Sequence, residues 1–373
     1  MHSNEIKVPY IAFPQQVAKI KGELLQACEE VLDSGMHVMG ERIKKFEKNF
    51  ADYCGTTYAL GVANGTCSLH IVLRGIGIGH GDEVITAPNS FIASAGSIGM
   101  LGAKPIFVDV AEDLNIDPNN IEAAISSRTR AIMPVHLTGR PAKMSEINKI
   151  AKKHGLKVIE DAAQAVGARY HEKRVGSLGD AACFSMHPLK NLHAFGDGGM
   201  MVTNDKTIYN HMEQARNHGL KNRNECDFWS LNCRLDEIQA AFLLVQLPML
   251  DQWTEDRRKR ALRYNELLEE FVETPDEKEN EYCVWQTYVV KTERRDELLT
   301  FLQDRGVQAN VHYPIPLHLQ KPAKAMGYDE KDFPVTMSLA KRILSLPLYP
   351  EMTDQQQDYI VSLFEKFFLK HKK

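Results

Sequence analysis

The chain has 373 residues, 43% of them hydrophobic and 25% charged, with a formal net charge of −4. That composition is ordinary for a soluble globular protein, and the length is too great for one small core, so two domains are expected. The weakly acidic balance gives no basic footprint for nucleic acid, and no apolar run approaches the roughly 20 residues of a membrane span.

The opening stretch, Met1–Tyr10, has no apolar core behind its charges, so no secretory leader is expected and a cytoplasmic location is. The seven cysteines (Cys28, Cys54, Cys67, Cys183, Cys226, Cys233 and Cys283) are odd in number and lack CxxC spacing. Buried thiols in a reducing compartment are expected, with no zinc or other metal site.

Residues 16–34 place Val17, Ile20, Leu24, Ala27 and Val31 at helical spacing, with Gly35 as the expected stop. A second helix is predicted over 41–53. From Thr57 the pattern changes to short apolar runs separated by amphipathic stretches. Strands are predicted at 57–63, 83–88, 104–110, 129–137, 157–162, 181–186 and 198–204. Strands alternating with helices predict an α/β fold whose mixed, mostly parallel sheet is covered on both sides. The short link between 181–186 and 198–204 predicts an antiparallel pair there.

A long helical stretch, 236–271, follows, and Pro248 should kink or interrupt it. Beyond an acidic segment, 273–281, come a predicted strand 283–292, helix 294–305, strand 307–313 and helices 334–345 and 353–369. Thr353 and Gln356 form a capping box for the last helix. The expected division is a large domain over 1–250 and a small C-terminal α+β domain over 251–373.

Lys190 follows the strand 181–186 and Pro188, just before the glycine-rich turn Gly196-Asp197-Gly198-Gly199. Ligands of open α/β sheets sit at the carboxyl ends of the strands, which delivers this amine where chemistry is usual. An amine there can form a Schiff base with an aldehyde, the way pyridoxal phosphate is held. Four further features lie at strand ends. Gly65, Thr66 and Cys67 open a helix and suit a phosphate, although the same residues also make an ordinary cap. Asp161 ends a buried strand and suits a protonated pyridine nitrogen, or equally caps the next helix. Phe91 suits stacking on a flat heterocycle, or a place in the core. Ser185 offers a hydroxyl to the phosphate, or to its own backbone. Together they describe one site.

These residues sit among ordered motifs: Asn64-Gly65-Thr66, Pro134-Val135-His136-Leu137, Glu160-Asp161-Ala162-Ala163-Gln164, Gly176-Ser177-Leu178-Gly179-Asp180, Arg216-Asn217-His218-Gly219, Asn232-Cys233-Arg234-Leu235-Asp236 and His312-Tyr313-Pro314-Ile315-Pro316-Leu317-His318. Over nearly its whole length the chain resembles the DegT/StrS nucleotide-sugar aminotransferases, of the fold type I that aspartate aminotransferase typifies. The resemblance implies pyridoxal 5'-phosphate as cofactor, cycling through pyridoxamine phosphate, with Lys190 as Schiff-base lysine and proton-moving base. It implies Asp161 at the pyridine nitrogen, Gln164 on the ring hydroxyl side, Phe91 on the ring, and Gly65, Thr66, Cys67 (through its backbone) and Ser185 at the phosphate. Asn232 is implied to reach the phosphate of the neighbouring subunit in a homodimer that shares its active sites.

His187, His312, Tyr313 and His318 are implied at the substrate, a keto-hexose on a nucleoside diphosphate, with L-glutamate as amino donor. The Gly-Asp-Gly-Gly turn and the His312-Tyr313-Pro314 block look like the branch that makes 3-amino sugars, whereas many enzymes making 4-amino sugars have Gly-Glu-Gly-Gly. His193 departs from the glycine common at its position. The family's sugar dehydratases carry histidine in place of the lysine, and Lys190 argues against them. A non-enzymatic regulator on the same fold would need neither Lys190 nor Asp161.

Overall fold

The computed structural model describes residues 7–369, so the reading of Met1–Tyr10 falls largely on residues 1–6, outside the described ones. Each of the seven predicted strands is present: β1 Tyr58–Val62, β2 Glu83–Thr86, β3 Lys104–Phe107, β4 Thr129–Met133, β5 Lys157–Asp161, β6 Ala181–Ser185 and β7 Gly199–Thr203. They form one sheet in the order β1-β7-β6-β5-β4-β2-β3. β7 runs antiparallel to both β1 and β6, while β6, β5, β4, β2 and β3 pair in parallel. Helices cover both faces, so β2 and β7 are buried at every residue and read as continuous apolar runs rather than alternating ones.

The helix Phe13–Ser34 buries Ile20, Leu24, Ala27 and Val31, and Gly35 ends it at φ 61°. It packs with Glu41–Cys54 against the helix Glu237–Gln246. Glu237 binds these elements together: its carboxylate accepts the N–H groups of Gly40 (3.0 Å), Arg42 (2.7 Å) and Ile43 (3.4 Å). The predicted 236–271 helix is interrupted at Pro248, which lies in a single 3₁₀ turn between Glu237–Gln246 and Leu250–Leu268.

A second core collects Tyr264, Tyr288, Leu298, Leu344 and Phe364, and Val8 and Ala12 join it from the opposite end of the chain. The helix Asp354–Leu369 carries the predicted capping box, Thr353 N–H to Gln356 Oε1 (3.0 Å) and Gln356 N–H to Thr353 Oγ1 (3.2 Å). Its buried Ile360, Leu363, Phe364 and Phe367 contribute roughly 1.5–3 kcal/mol each through burial.

Two expectations fail here. Residues 307–313 make only isolated bridges, Val307 to Val8 and Asn310 to Ser345. The predicted helix 334–345 stops at Arg342, and Ile343–Leu346 is a strand paired antiparallel with Tyr288–Lys291. Tyr288–Lys291 takes its partner from this later apolar run, not from the segment nearer in sequence. Among the described residues, no helix is long and apolar enough to cross a membrane.

Candidate active site

The carboxyl ends of β5 and β6 and the helix Gly65–Gly75 after β1 open onto one cavity of about 650 Å³. The chain leaves β6 at Ser185 and turns at Pro188, where the Lys190 N–H donates to the His187 carbonyl (2.8 Å). The Lys190 side chain is half-buried against the cavity. Burial pushes its ammonium down to about 8, although Asp161 pulls the other way. An amine so placed is a far better base and nucleophile near neutral pH than a solvated lysine.

Asp161 is the last residue of β5 and is 3% exposed. Burial pushes its carboxyl up, while the Ser94 hydroxyl (2.8 Å), the Ala163 N–H (3.2 Å) and Lys190 hold it down. Two donors do not fill the four acceptor sites of a carboxylate, so Asp161 keeps capacity for a protonated ring nitrogen on the cavity side. Ser94 is oriented in turn by the Ser90 hydroxyl (2.9 Å).

β5 itself is anchored by the neighbouring Glu160, which faces away from the cavity and is fully buried. Its carboxylate accepts from Gly176, Leu178 and Gly179 N–H (3.0, 2.8 and 2.8 Å) and contacts His136 Nε2 (3.0 Å). The Ala142 N–H donates to His136 Nδ1 (2.9 Å), which leaves the ring proton on Nε2, pointing at Glu160. Three sequence motifs, at 134–137, 160–164 and 176–180, are thus one buried network that fixes where Asp161 stands.

The phosphate end is built by close approach. Asn64 caps the helix Gly65–Gly75 by accepting the Cys67 N–H (2.8 Å). The Cys67 N–H, expected at the phosphate, is therefore spent on the cap. Gly65 and Thr66 supply the first-turn N–H groups that have no intrahelical acceptor, with the Ser185 hydroxyl lining the same corner. A Cβ on Gly199 would stand 2.5 Å from the Asn64 carbonyl carbon, and one on Gly65 2.8 Å from Ser185 Cβ. Only glycine at both positions lets the glycine turn, the helix start and the lysine strand meet.

Phe91 is 55% exposed, an unusual state for phenylalanine, and its ring lies over the cavity 5.8 Å from that of Tyr313. Gln164 is held between the Thr138 N–H (2.7 Å, to Oε1) and the Tyr313 hydroxyl (3.3 Å, from Nε2). His187, His312 and Tyr313 all line the cavity. Burial lowers His312 to about 4, so it is neutral in the working range, with Nδ1 3.0 Å from the Ser345 hydroxyl.

Two expected residues stand elsewhere. His318 does not line the cavity: it is fully buried, 4.8 Å from the Phe333 ring in a satellite core with Phe107 and Leu317. Asn232 is exposed and does not line the cavity; it is bridged to Asn217. The cavity also takes in residues the sequence did not single out: Tyr10, Ser94, Gln286 and Thr287. Tyr10 reaches it from the chain start, 5.6 Å from the His312 ring. The spacing of Ser90, Ser94 and Ser97 was the only local signal among these.

The donor set fits pyridoxal phosphate: unspent helix N–H groups, an uncovered aromatic face, a buried carboxylate with acceptor capacity and a low-pKa amine in one cavity. Residues 18–365 match the DegT/DnrJ/EryC1/StrS aminotransferase family. The chain belongs to that family. It is a pyridoxal-phosphate-dependent nucleotide-sugar aminotransferase with the fold type I architecture.

The chain is 45% identical to a pleiotropic regulatory protein of Geobacillus stearothermophilus, over 97% of this chain and 99% of the relative. It is 40% identical to the dTDP-3-amino-3,4,6-trideoxy-alpha-D-glucose transaminase of Streptomyces venezuelae, over 94% and 93%. The crystal structure of S. venezuelae DesV in complex with a ketimine intermediate superposes with a TM-score of 0.95 at 38% identity, covering 98% of this chain and 99% of that one.

Proposed function

We propose that the enzyme transfers an amino group from L-glutamate to a 3-keto-hexose carried on a nucleoside diphosphate, giving the 3-amino sugar. The observation that carries this reading is the convergence of Lys190 and Asp161 on one cavity that Tyr313 and a His312 kept neutral by burial also line. The S. venezuelae relative, named for a 3-amino sugar, supports the position of the keto group. A purely regulatory role, which the name of the G. stearothermophilus relative invites, leaves the low-pKa lysine and the cradle without a purpose.

When bound, the cofactor supplies an electron sink that makes a substrate Cα–H acidic. The chain's residues do the rest. Asp161 holds a proton at the ring nitrogen, Gln164 meets the ring hydroxyl, and Phe91 covers the ring. Gly65, Thr66 and Ser185 hold the phosphate, and Cys67 contributes by keeping the Asn64 cap in place. Lys190 would anchor the cofactor and, as base, would move the proton between the substrate carbon and the cofactor, away from the donor's Cα in the first half of the reaction and onto the sugar carbon in the second. His187, His312 and Tyr313 face the hexose. Asn232 of each subunit reaches its partner's phosphate in a homodimer.

Supplying matched 3-keto and 4-keto nucleotide sugars with glutamate, and locating the new amine by NMR, tests the reading. Amination at C3 supports it. Amination at C4 alone, or loss of a hydroxyl without amination, overturns it.

A further inference from the structure

Cys233 Sγ lies 2.9 Å from Cys67 Sγ, although the two are 166 positions apart in the chain. A disulfide needs about 2.05 Å, so bonding requires the sulfurs to close by only about 0.9 Å. Of the other cysteines, Cys54, Cys183 and Cys283 are buried, Cys28 is half-buried, and the exposed Cys226 points its sulfur at the His218 and Phe228 carbonyls. Cys67 lines the cofactor cavity in the first turn of its helix, and Cys233 is 4% exposed behind it. Amino transfer uses neither thiol.

We propose that Cys67 and Cys233 are a redox-active pair that closes to a disulfide at the edge of the cofactor cradle when the protein meets a peroxide. The Cys67 sulfur attacks a peroxide oxygen, breaking the O–O bond and releasing one water, and becomes a sulfenic acid. The Cys233 sulfur then attacks Cys67, expelling the second water and forming the S–S bond. The two thiols lose two electrons and two protons in all, and one hydrogen peroxide becomes two waters.

The order of attack follows from the contact. The Cys233 thiol donates to the Cys67 sulfur, which holds Cys67 below its ordinary value and pushes Cys233 above its own. Cys67 is therefore the thiol that gives up its proton more readily, and it is also the one that opens into the cavity. The bridge would fasten the segment that carries Asn232, already tied to Arg216 through the Cys233 N–H (2.9 Å), to the first turn of the phosphate-binding helix. This goes beyond amino transfer; only its consequence for the cofactor rests on the proposed function.

The test treats purified, cofactor-loaded protein briefly with hydrogen peroxide, then unfolds it, counts free thiols and maps cross-linked peptides. The count should fall from the seven cysteines of the chain by two, recover with dithiothreitol, and coincide with a peptide joining Cys67 to Cys233. An undiminished count, or a bridge between any other pair, overturns the proposal. Cys233→Ser should abolish the reversible cross-link, and its persistence would do the same. Oxidised wild type should also lose pyridoxal phosphate more slowly on dialysis than reduced protein. Equal rates alongside a confirmed bridge would overturn the claim that the bridge braces the cradle.

Discussion

At the scale of single residues, the decisive quantity is the proton affinity of Lys190. Burial brings it to about 8, from 10.5 for a free lysine. The neutral, nucleophilic amine is populated above the pKa, so capture of pyridoxal phosphate by the apoenzyme should accelerate as pH rises through about 8 and level off beyond. A midpoint nearer 10 would mean that the lysine is solvated in the working protein. Lys190→Ala should abolish both capture and turnover with an unchanged circular dichroism spectrum, because a half-buried lysine at a strand end adds little packing. Lys190, Asp161 and Phe91 were legible in sequence because each stands at the end of a short apolar run. Tyr10, Gln286 and Thr287 were not: they come from irregular segments with no periodicity, and only the folded chain brings them to the cavity. His318 shows the opposite error, a motif residue that the fold spends on its core.

Among the elements, the glycine turn before β7 sets the geometry of the phosphate corner. Gly199→Ala would drive a methyl group into the Asn64 carbonyl and the Gly65 nitrogen, all backbone atoms that cannot rotate away. The expected cost is about 1–3 kcal/mol of stability, read from the urea midpoint, together with weaker cofactor retention. A variant with wild-type midpoint and retention would mean that the close approach is not needed. Sequence reading found all seven strands of the sheet because each centres on a short buried apolar run, unbroken in β2 and β7. It failed at Ile343–Leu346, whose four residues continue the helical spacing of the preceding turn. What makes them a strand is pairing with Tyr288–Lys291, more than fifty residues earlier in the chain, and no local pattern carries that information.

For the whole molecule, the two cores are linked through the chain start, whose Val8 and Ala12 pack with the C-terminal elements while Tyr10 between them lines the cavity. Asn232 is exposed and does not line the cavity, and the proposed homodimer gives it the phosphate of the neighbouring copy to reach. Asn232→Ala should therefore speed cofactor loss on dialysis without shifting the urea midpoint, since an exposed side chain contributes little to folding. Unchanged retention would show that each subunit holds its cofactor alone. The claim that unites these scales is that one cavity carries an amino group from donor to acceptor. It is tested most directly by the visible absorption of the protein loaded with pyridoxal phosphate, recorded before and after L-glutamate is added. A yellow protein that bleaches on glutamate, as the cofactor accepts the amino group, is the expected result. A yellow protein indifferent to glutamate, or one that takes up no cofactor and stays colourless, would contradict it.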